Sequence, residues 1–165
     1  MKKILVTTSS FAETSREAIN AINKSEFDIL INPYGRRLSN SEVIELIDDD
    51  VIGIIAGLEE LSEKTLKNKN LKVISRVGSG TSNIDFKFVD KNNIKVLTTP
   101  FGPVNAVAEI TVCNMISLLR NTHEMNISLH MNKWQRKIGR EIKDKNIIIF
   151  GYGRIGRKVS SLLQS

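Results

Sequence analysis

The sequence predicts an α/β fold built on a parallel β-sheet. Three observations carry that expectation. Short apolar runs alternate with helical patterns through residues 1–98, the order that successive βαβ units impose. The runs are continuously apolar and rich in Ile and Val, as strands covered on both faces require. Near the end of the chain, Gly151-Tyr152-Gly153-Arg154-Ile155-Gly156 joins one more apolar run to a helical pattern, the context in which a glycine-rich turn meets a phosphate.

The elements follow in order. Ile4-Leu5-Val6 reads as the first strand, and Glu13 to Lys24 as a helix with Ala18, Ile19 and Ile22 on one face. Phe27 to Ile31 is the second strand. Ser39-Asn40-Ser41-Glu42 matches a capping box, and Val43, Ile44, Leu46 and Ile47 follow at helical spacing. Val51 to Ala56 is the third strand, Ser62 caps a short helix that includes Leu66, and Leu71 to Ser75 is the fourth strand. Asp85 to Lys91 is a short helix capped by Asp85, and Ile94 to Leu97 the fifth strand.

A boundary comes next. Thr98-Thr99-Pro100-Phe101-Gly102-Pro103 holds two of the three prolines and is a rigid, extended breaker. It separates a first domain over 1–98 from a second segment over 99–165. That segment opens with one long helix from about Val104 to Met131, whose broad apolar face includes Ala108, Val112, Met115, Ile116 and Leu119. The pattern resets at Ile147-Ile148-Ile149-Phe150, a strongly apolar strand. Val159, Leu162 and Leu163 supply the apolar face of the helix after the glycines.

Composition narrows the classes of function. With 41% hydrophobic and 25% charged residues over 165 positions, the chain is globular and not disordered. Aromatics are only 5%, so Ile, Leu and Val must fill the core. The net charge of +6 is spread along the chain without a block of five basic residues, which reads as a solvated surface and not a nucleic-acid footprint. The single cysteine, Cys113, allows no internal disulfide and points to a reducing compartment. Its apolar helical setting reads as buried filler. No run approaches the ~20 apolar residues of a membrane span, and Met1-Lys2-Lys3 leads into too short an apolar run for a signal peptide. The expected location is therefore cytoplasmic. His123 and His130 lie seven apart on the long helix with no further ligand pattern near them, so they read as surface histidines and no metal site is expected.

Two segments carry chemistry. In the first, Gly151 permits the tight turn out of a strand, Gly153 lets the backbone approach a pyrophosphate, and Gly156 lets the following helix pack close. The anion then lies on the helix N-terminus, where unpaired N–H groups and the helix dipole favour negative charge. In the second, Arg76-Val77-Gly78-Ser79-Gly80 follows the fourth strand, at the carboxyl end where open α/β sheets bind ligands. Backbone N–H groups of Gly78 and Ser79 are expected to point into a cleft and hold a carboxylate. Arg76 adds charge there unless a surface ion pair claims it.

These motifs, in this order, resemble the D-isomer-specific 2-hydroxyacid dehydrogenase family, and within it the phosphoglycerate dehydrogenases. Arg76 to Gly80 with Asn83-Ile84-Asp85 is similar to the family's substrate loop. Pro100, then Val107-Ala108-Glu109, then Leu119-Arg120 is similar to its connecting helix. Trp134, Gly139-Arg140-Glu141-Ile142 and Asp144-Lys145 resemble the segment entering the nucleotide fold, and Gly151 to Gly156 its cofactor loop.

The resemblance implies a flavodoxin-like substrate domain over 1–98. Residues 99–165 then hold an interdomain helix and the first β-α unit of a truncated Rossmann domain, with the active site between the domains. It implies hydride transfer between NAD or NADP, with NAD favoured, and C2 of a small 2-hydroxy or 2-keto acid. Arg76, Val77, Gly78 and Ser79 would face the substrate. Ser79, Gly151, Gly153, Arg154, Ile155 and Gly156 would face the cofactor. The family's catalytic Arg, Glu and His lie beyond its glycine loop, and this sequence runs nine residues past Gly156. No catalytic residue is therefore assigned, and the 165 residues are expected to be inactive. The full-length family is expected to act as a homodimer. The alternative is a dinucleotide-sensing regulator similar to the corepressors related to this family, which use cofactor binding to control association.

Overall fold

The computed structural model describes residues 1–13, 15–66 and 70–164. The chain divides into two compact units, Met1–Pro100 and Phe101–Ser165.

The first unit is a five-stranded parallel sheet. Its strands are β1 (Lys3–Val6), β2 (Asp28–Ile31), β3 (Val51–Ala56), β4 (Val73–Arg76) and β5 (Lys95–Thr98). Their spatial order is β2-β1-β3-β4-β5, that of doubly wound flavodoxin-like sheets. Helices α1 (Glu17–Asn23), α2 (Asn40–Leu46) and α3 (Phe86–Lys91) connect the strands. Every strand and helix expected before Thr98 is present except the helix after Ser62. There the chain makes a single turn, with the N–H of Leu66 donating to the Ser62 carbonyl, and its continuation over 67–69 lies outside the described residues. α1 is also shorter than the spacing of its apolar residues suggests.

The two sheet faces are unequal. Leu5, Ile54, Ala56 and Ile74 are buried with Val43 of α2 and Val89 of α3 in one continuous core. On the opposite face, Ile4, Gly53, Ile55, Val73, Ser75 and Leu97 line a cavity of about 380 Å³ with Ala21 and Ile22 of α1. The expectation of a sheet covered on both faces therefore holds for one face only. The short α1, which contributes no fully buried residue, is too small to cover five strands.

Local chemistry fixes the helix starts. Ser39 caps α2 and Glu42 closes the box, with the Ser39 N–H donating to the Glu42 carboxylate at 2.8 Å. Arg36 grips the same carboxylate with both terminal nitrogens, at 2.9 and 2.6 Å. Asp85 Oδ1 accepts the Phe88 N–H at 3.2 Å and caps α3.

The second unit contains α4 (Val104–Arg120), α5 (Thr122–His130) and α6 (Arg154–Gln164). The single helix expected from Val104 to Met131 is broken at Asn121, which takes φ +54°. Asn tolerates that left-handed conformation better than other side chains with a Cβ, and its amide donates to the Ile138 carbonyl at 3.1 Å. Gly139 lies hard against the end of α4. A Cβ there would sit 2.9 Å from both Arg120 Cα and the Leu119 carbonyl oxygen. Cys113 is exposed, not the buried filler expected, because α4 fully buries only Ala108.

α6 packs on α4, burying Val159 while Leu162 and Leu163 are half-buried. Ile147 to Phe150 forms no strand, a departure from the sequence expectation. A parallel strand is defined by its ladder, and no described segment pairs with this one; Ile148 and Phe150 are 79% and 96% exposed.

Two predictions follow from this architecture. The Arg36 guanidinium and the Ser39 N–H hold the Glu42 carboxyl at about 2, against an ordinary 4.5. A carboxyl depressed in the folded state contributes stability above its unfolded value and loses it as pH falls through the folded one. Denaturant unfolding should therefore show wild type more stable than Glu42→Gln at pH 6, with the difference shrinking below pH ~4.5 and mostly lost by about pH 2. An unchanged difference at pH 2 would show that the carboxylate is not what stabilises α2. In hydrogen exchange, the slow amides should belong to β1, β3 and β4, and those of Ile147 to Phe150 should exchange fast.

Candidate functional site

The first candidate segment leaves the carboxyl end of β4, the strand between β3 and β5. Parallel pairing holds β4 on both sides through Arg76, opposite Ala56 and Thr98. The grip continues past the last strand residue. The Val77 N–H donates to the Ala56 carbonyl at 2.9 Å, and the Thr99 N–H to the Gly78 carbonyl at 3.0 Å. The Gly78 N–H donates to Thr99 Oγ1 at 2.7 Å. This corrects the sequence expectation for Gly78, whose donor is committed to a side chain beyond the next strand. The Ser79 N–H meets no acceptor among the described residues, and Ser79 is exposed.

Arg76 is 93% buried, since only 7% of its surface is exposed. It forms no ion pair among the described residues. One terminal nitrogen donates to the Val77 carbonyl, and Nε has no partner among the described residues. A buried guanidinium N–H without an acceptor is costly, because its desolvation is uncompensated. Gly78 takes φ +134°, and a Cβ there would lie 2.8 Å from an Arg76 nitrogen. The arginine therefore lies against the backbone of the loop. The site thus combines one buried cation, one free N–H and a glycine turn, a donor set suited to a small anion.

The second candidate segment is the glycine loop. Gly151 takes φ +93°, and a Cβ on Gly156 would lie 2.2 Å from the Gly151 carbonyl oxygen, so only glycine lets the first turn of α6 close on the loop. No atom lies within 4 Å of a Cβ built at Gly153, which leaves room beside its backbone. The N–H groups of Arg154, Ile155 and Gly156 have no acceptor among the described residues; the ladder begins with the Arg157 N–H donating to the Gly153 carbonyl at 3.0 Å. The Arg154 guanidinium stacks on the Phe101 ring, 4.6 Å from its centroid. Open glycine backbone, three free N–H groups and a positive first turn fit a pyrophosphate.

Sequence reasoning misses several polar residues at the carboxyl edge of the sheet. Thr7, Asn32 and Glu59 are buried at the ends of β1, β2 and β3, and Thr99 takes the Gly78 N–H. Thr7, Asn32 and Thr99 follow directly on their strands and Glu59 lies three positions past β3, all at the carboxyl edge of the sheet. A polar residue one to three positions past such a strand is the available signal. Phe101 was likewise read only as part of a breaker. Trp134, quoted for the resemblance, is 84% exposed. Glu109 is exposed in the second turn of α4.

Fold and site together define an α/β protein with a glycine turn after a central strand of a parallel sheet and a second glycine-rich loop before a helix. The family described as D-isomer specific 2-hydroxyacid dehydrogenase, catalytic domain, matches residues 4–157, and the chain belongs to that family. The chain is 30% identical over 142 residues to hydroxypyruvate reductase of Thermotoga maritima, covering 84% of this chain and 45% of that protein. It is 35% identical over 132 residues to D-3-phosphoglycerate dehydrogenase 2 of Saccharomyces cerevisiae, covering 78% and 28%. Among solved structures, an NAD+-bound 3-phosphoglycerate dehydrogenase from Entamoeba histolytica superposes with a TM-score of 0.76 at 30% identity, covering 99% of this chain and 50% of that one. The chain thus spans about a quarter to a half of the length of these relatives.

The loop geometry separates two glycines that look alike in sequence. Gly78→Ala should destabilise the protein by about 1–3 kcal/mol, because an L side chain is strained at its φ. Gly80→Ala, with open space around it, should stay within ~0.5 kcal/mol of wild type. Denaturation midpoints for the two variants check this, and equal costs would contradict the backbone described.

Proposed function

We propose that these residues supply the substrate loop and the start of the cofactor loop of an NAD(P)-dependent 2-hydroxyacid dehydrogenase, and that alone they do not turn over. The observation that carries the reading is at the end of β4, where the buried Arg76 Nε and the Ser79 N–H both lack an acceptor. A cation beside an exposed N–H is a donor set that suits a substrate carboxylate. In this reading Arg76 and Ser79 donate to that carboxylate, while Val77 and Gly78 shape the turn that presents it. Gly78 contributes conformation and not a donor, since Thr99 takes its N–H.

Gly151, Gly153, Arg154, Ile155 and Gly156 would hold the dinucleotide pyrophosphate, with Ser79 also facing the cofactor. A bound nicotinamide supplies or accepts the hydride exchanged with C2 of the acid. The relatives' names, hydroxypyruvate reductase and D-3-phosphoglycerate dehydrogenase, favour small 2-hydroxy and 2-keto acids, 3-phosphoglycerate among them. NAD is favoured over NADP by the NAD+-bound relative. The remaining requirement of such a reaction is a proton donor and acceptor at the substrate oxygen. Neither candidate segment carries a His, Glu or Asp side chain to fill that role.

The purified 165-residue polypeptide should give no NADH or NADPH oxidation above a buffer blank with hydroxypyruvate, glyoxylate or pyruvate. Turnover with any of them would sink the inactive reading. Calorimetry should show NAD(H) binding that is weak or absent, and micromolar affinity would show that the glycine loop and α6 already complete a cofactor site.

A further inference from the structure

The largest buried acidic group in the first unit lies outside the loop just described. Glu59 is only 1% exposed, just past β3, and makes no ion pair among the described residues. Burying a carboxylate is costly unless hydrogen bonds replace its water, so its partners identify its task. Oε1 accepts the hydroxyl of Thr7, itself fully buried at the end of β1. The same oxygen accepts the Gly57 N–H at 3.0 Å. Gly57 has no room for a side chain, since a Cβ there would lie 2.9 Å from the other Glu59 oxygen and 3.2 Å from Thr8 Cα. One carboxylate thus ties the exit of β1 to the exit of β3 and folds residues 57–59 into a fixed platform.

The far end of the Arg76–Gly80 loop is fastened to that platform. Asn83 donates its side-chain amide to the Glu59 carbonyl at 2.7 Å and the Gly57 carbonyl at 3.3 Å. The Leu61 N–H donates to the Asn83 carbonyl at 2.8 Å, and the Asp85 N–H to the Leu61 carbonyl at 2.9 Å. Leu61 and Ile84 form a parallel bridge. Residues 77–82 therefore span two anchors: the end of β4, and a platform organised by a buried carboxylate.

We propose that Glu59 is a positioning residue for the carboxylate-binding loop. It fixes the second anchor through Thr7 and Gly57 and so sets where the Ser79 N–H stands. The inference rests on the substrate-loop reading above. Its test uses the 165-residue chain and D-glycerate as the probe, followed by the Ser79 amide resonance well below each variant's melting temperature. Glu59→Ala should weaken D-glycerate binding about tenfold or more, as loss of a buried charge-assisted hydrogen-bond anchor does. Glu59→Gln, which keeps an acceptor oxygen for Thr7 and Gly57, should stay within about threefold. Thr7→Val should reproduce the loss, Thr7→Ser should not, and Glu59→Ala with Thr7→Val should be no worse than either alone, because coupled residues are non-additive.

A merely structural role would leave affinity unchanged in every variant that remains folded. Unaltered affinity in Glu59→Ala overturns the proposal while leaving the substrate-loop reading intact. Should Glu59→Ala fail to fold, unaltered affinity in Thr7→Val overturns it equally. A wild-type chain that does not bind D-glycerate overturns the carboxylate-binding reading and this inference with it.

Discussion

β4 is gripped on both sides to its last residue, and the chemistry of the first unit depends on that grip. Parallel pairing brings the carboxyl ends of all five strands to one edge. A loop leaving the middle of that edge inherits the rigidity of its neighbours. Arg76 cannot follow the solvent, because it belongs to the ladder and its guanidinium lies against Gly78. A cation held in that way is already desolvated in the folded chain. The cost of ordering it is met in folding, which is the physical content of preorganisation.

The second unit works by close approach of backbones. Gly139 lies against the end of α4 and Gly156 against Gly151, at separations that admit no side chain. α6 gains its burial from α4 through Val159, so the apolar face of the final helix is covered even though Ile147 to Phe150 has no ladder. Helix packing needs one partner along one stripe, whereas a parallel strand needs a neighbour for its backbone as well as cover for its side chains. That difference explains why the last helix of the chain is in place beside a strand that is not.

Much of the fold was legible in the residues. The five strands showed themselves as apolar runs, and the caps at Ser39 and Asp85 were readable because capping is local chemistry. Three features were not legible. The break at Asn121 depends on one residue adopting a left-handed conformation, which hydrophobic periodicity does not register. The exposure of Cys113 depends on which stripe of α4 finds a partner. The missing ladder at Ile147 to Phe150 is a property of neighbours, and no local pattern reports their absence. For the candidate site, the positions of Arg76 to Ser79 and of the glycine loop followed from motif and strand order. The commitment of the Gly78 N–H to Thr99 did not, because Thr99 lies 21 residues away across a helix and a strand. Glu59 was invisible for the same reason: its partner Thr7 is 52 residues distant.

The unequal faces of the sheet bear on which sequences this fold can accept. Ile54 and Ile55 are adjacent, chemically identical and in the same strand, yet their side chains enter different worlds. Ile54 is 1% exposed in the closed core, where truncation to Ala leaves a void and costs about 2–5 kcal/mol. Ile55 lines the open cavity beside α1, where water can take up the vacated space and larger or more polar side chains have room. Sequence drift along β3 is therefore constrained at the buried Val51, Ile54 and Ala56 and more permissive at Ile55, while Gly53, on the cavity face, has no room for a side chain beside Ile4 and Val73.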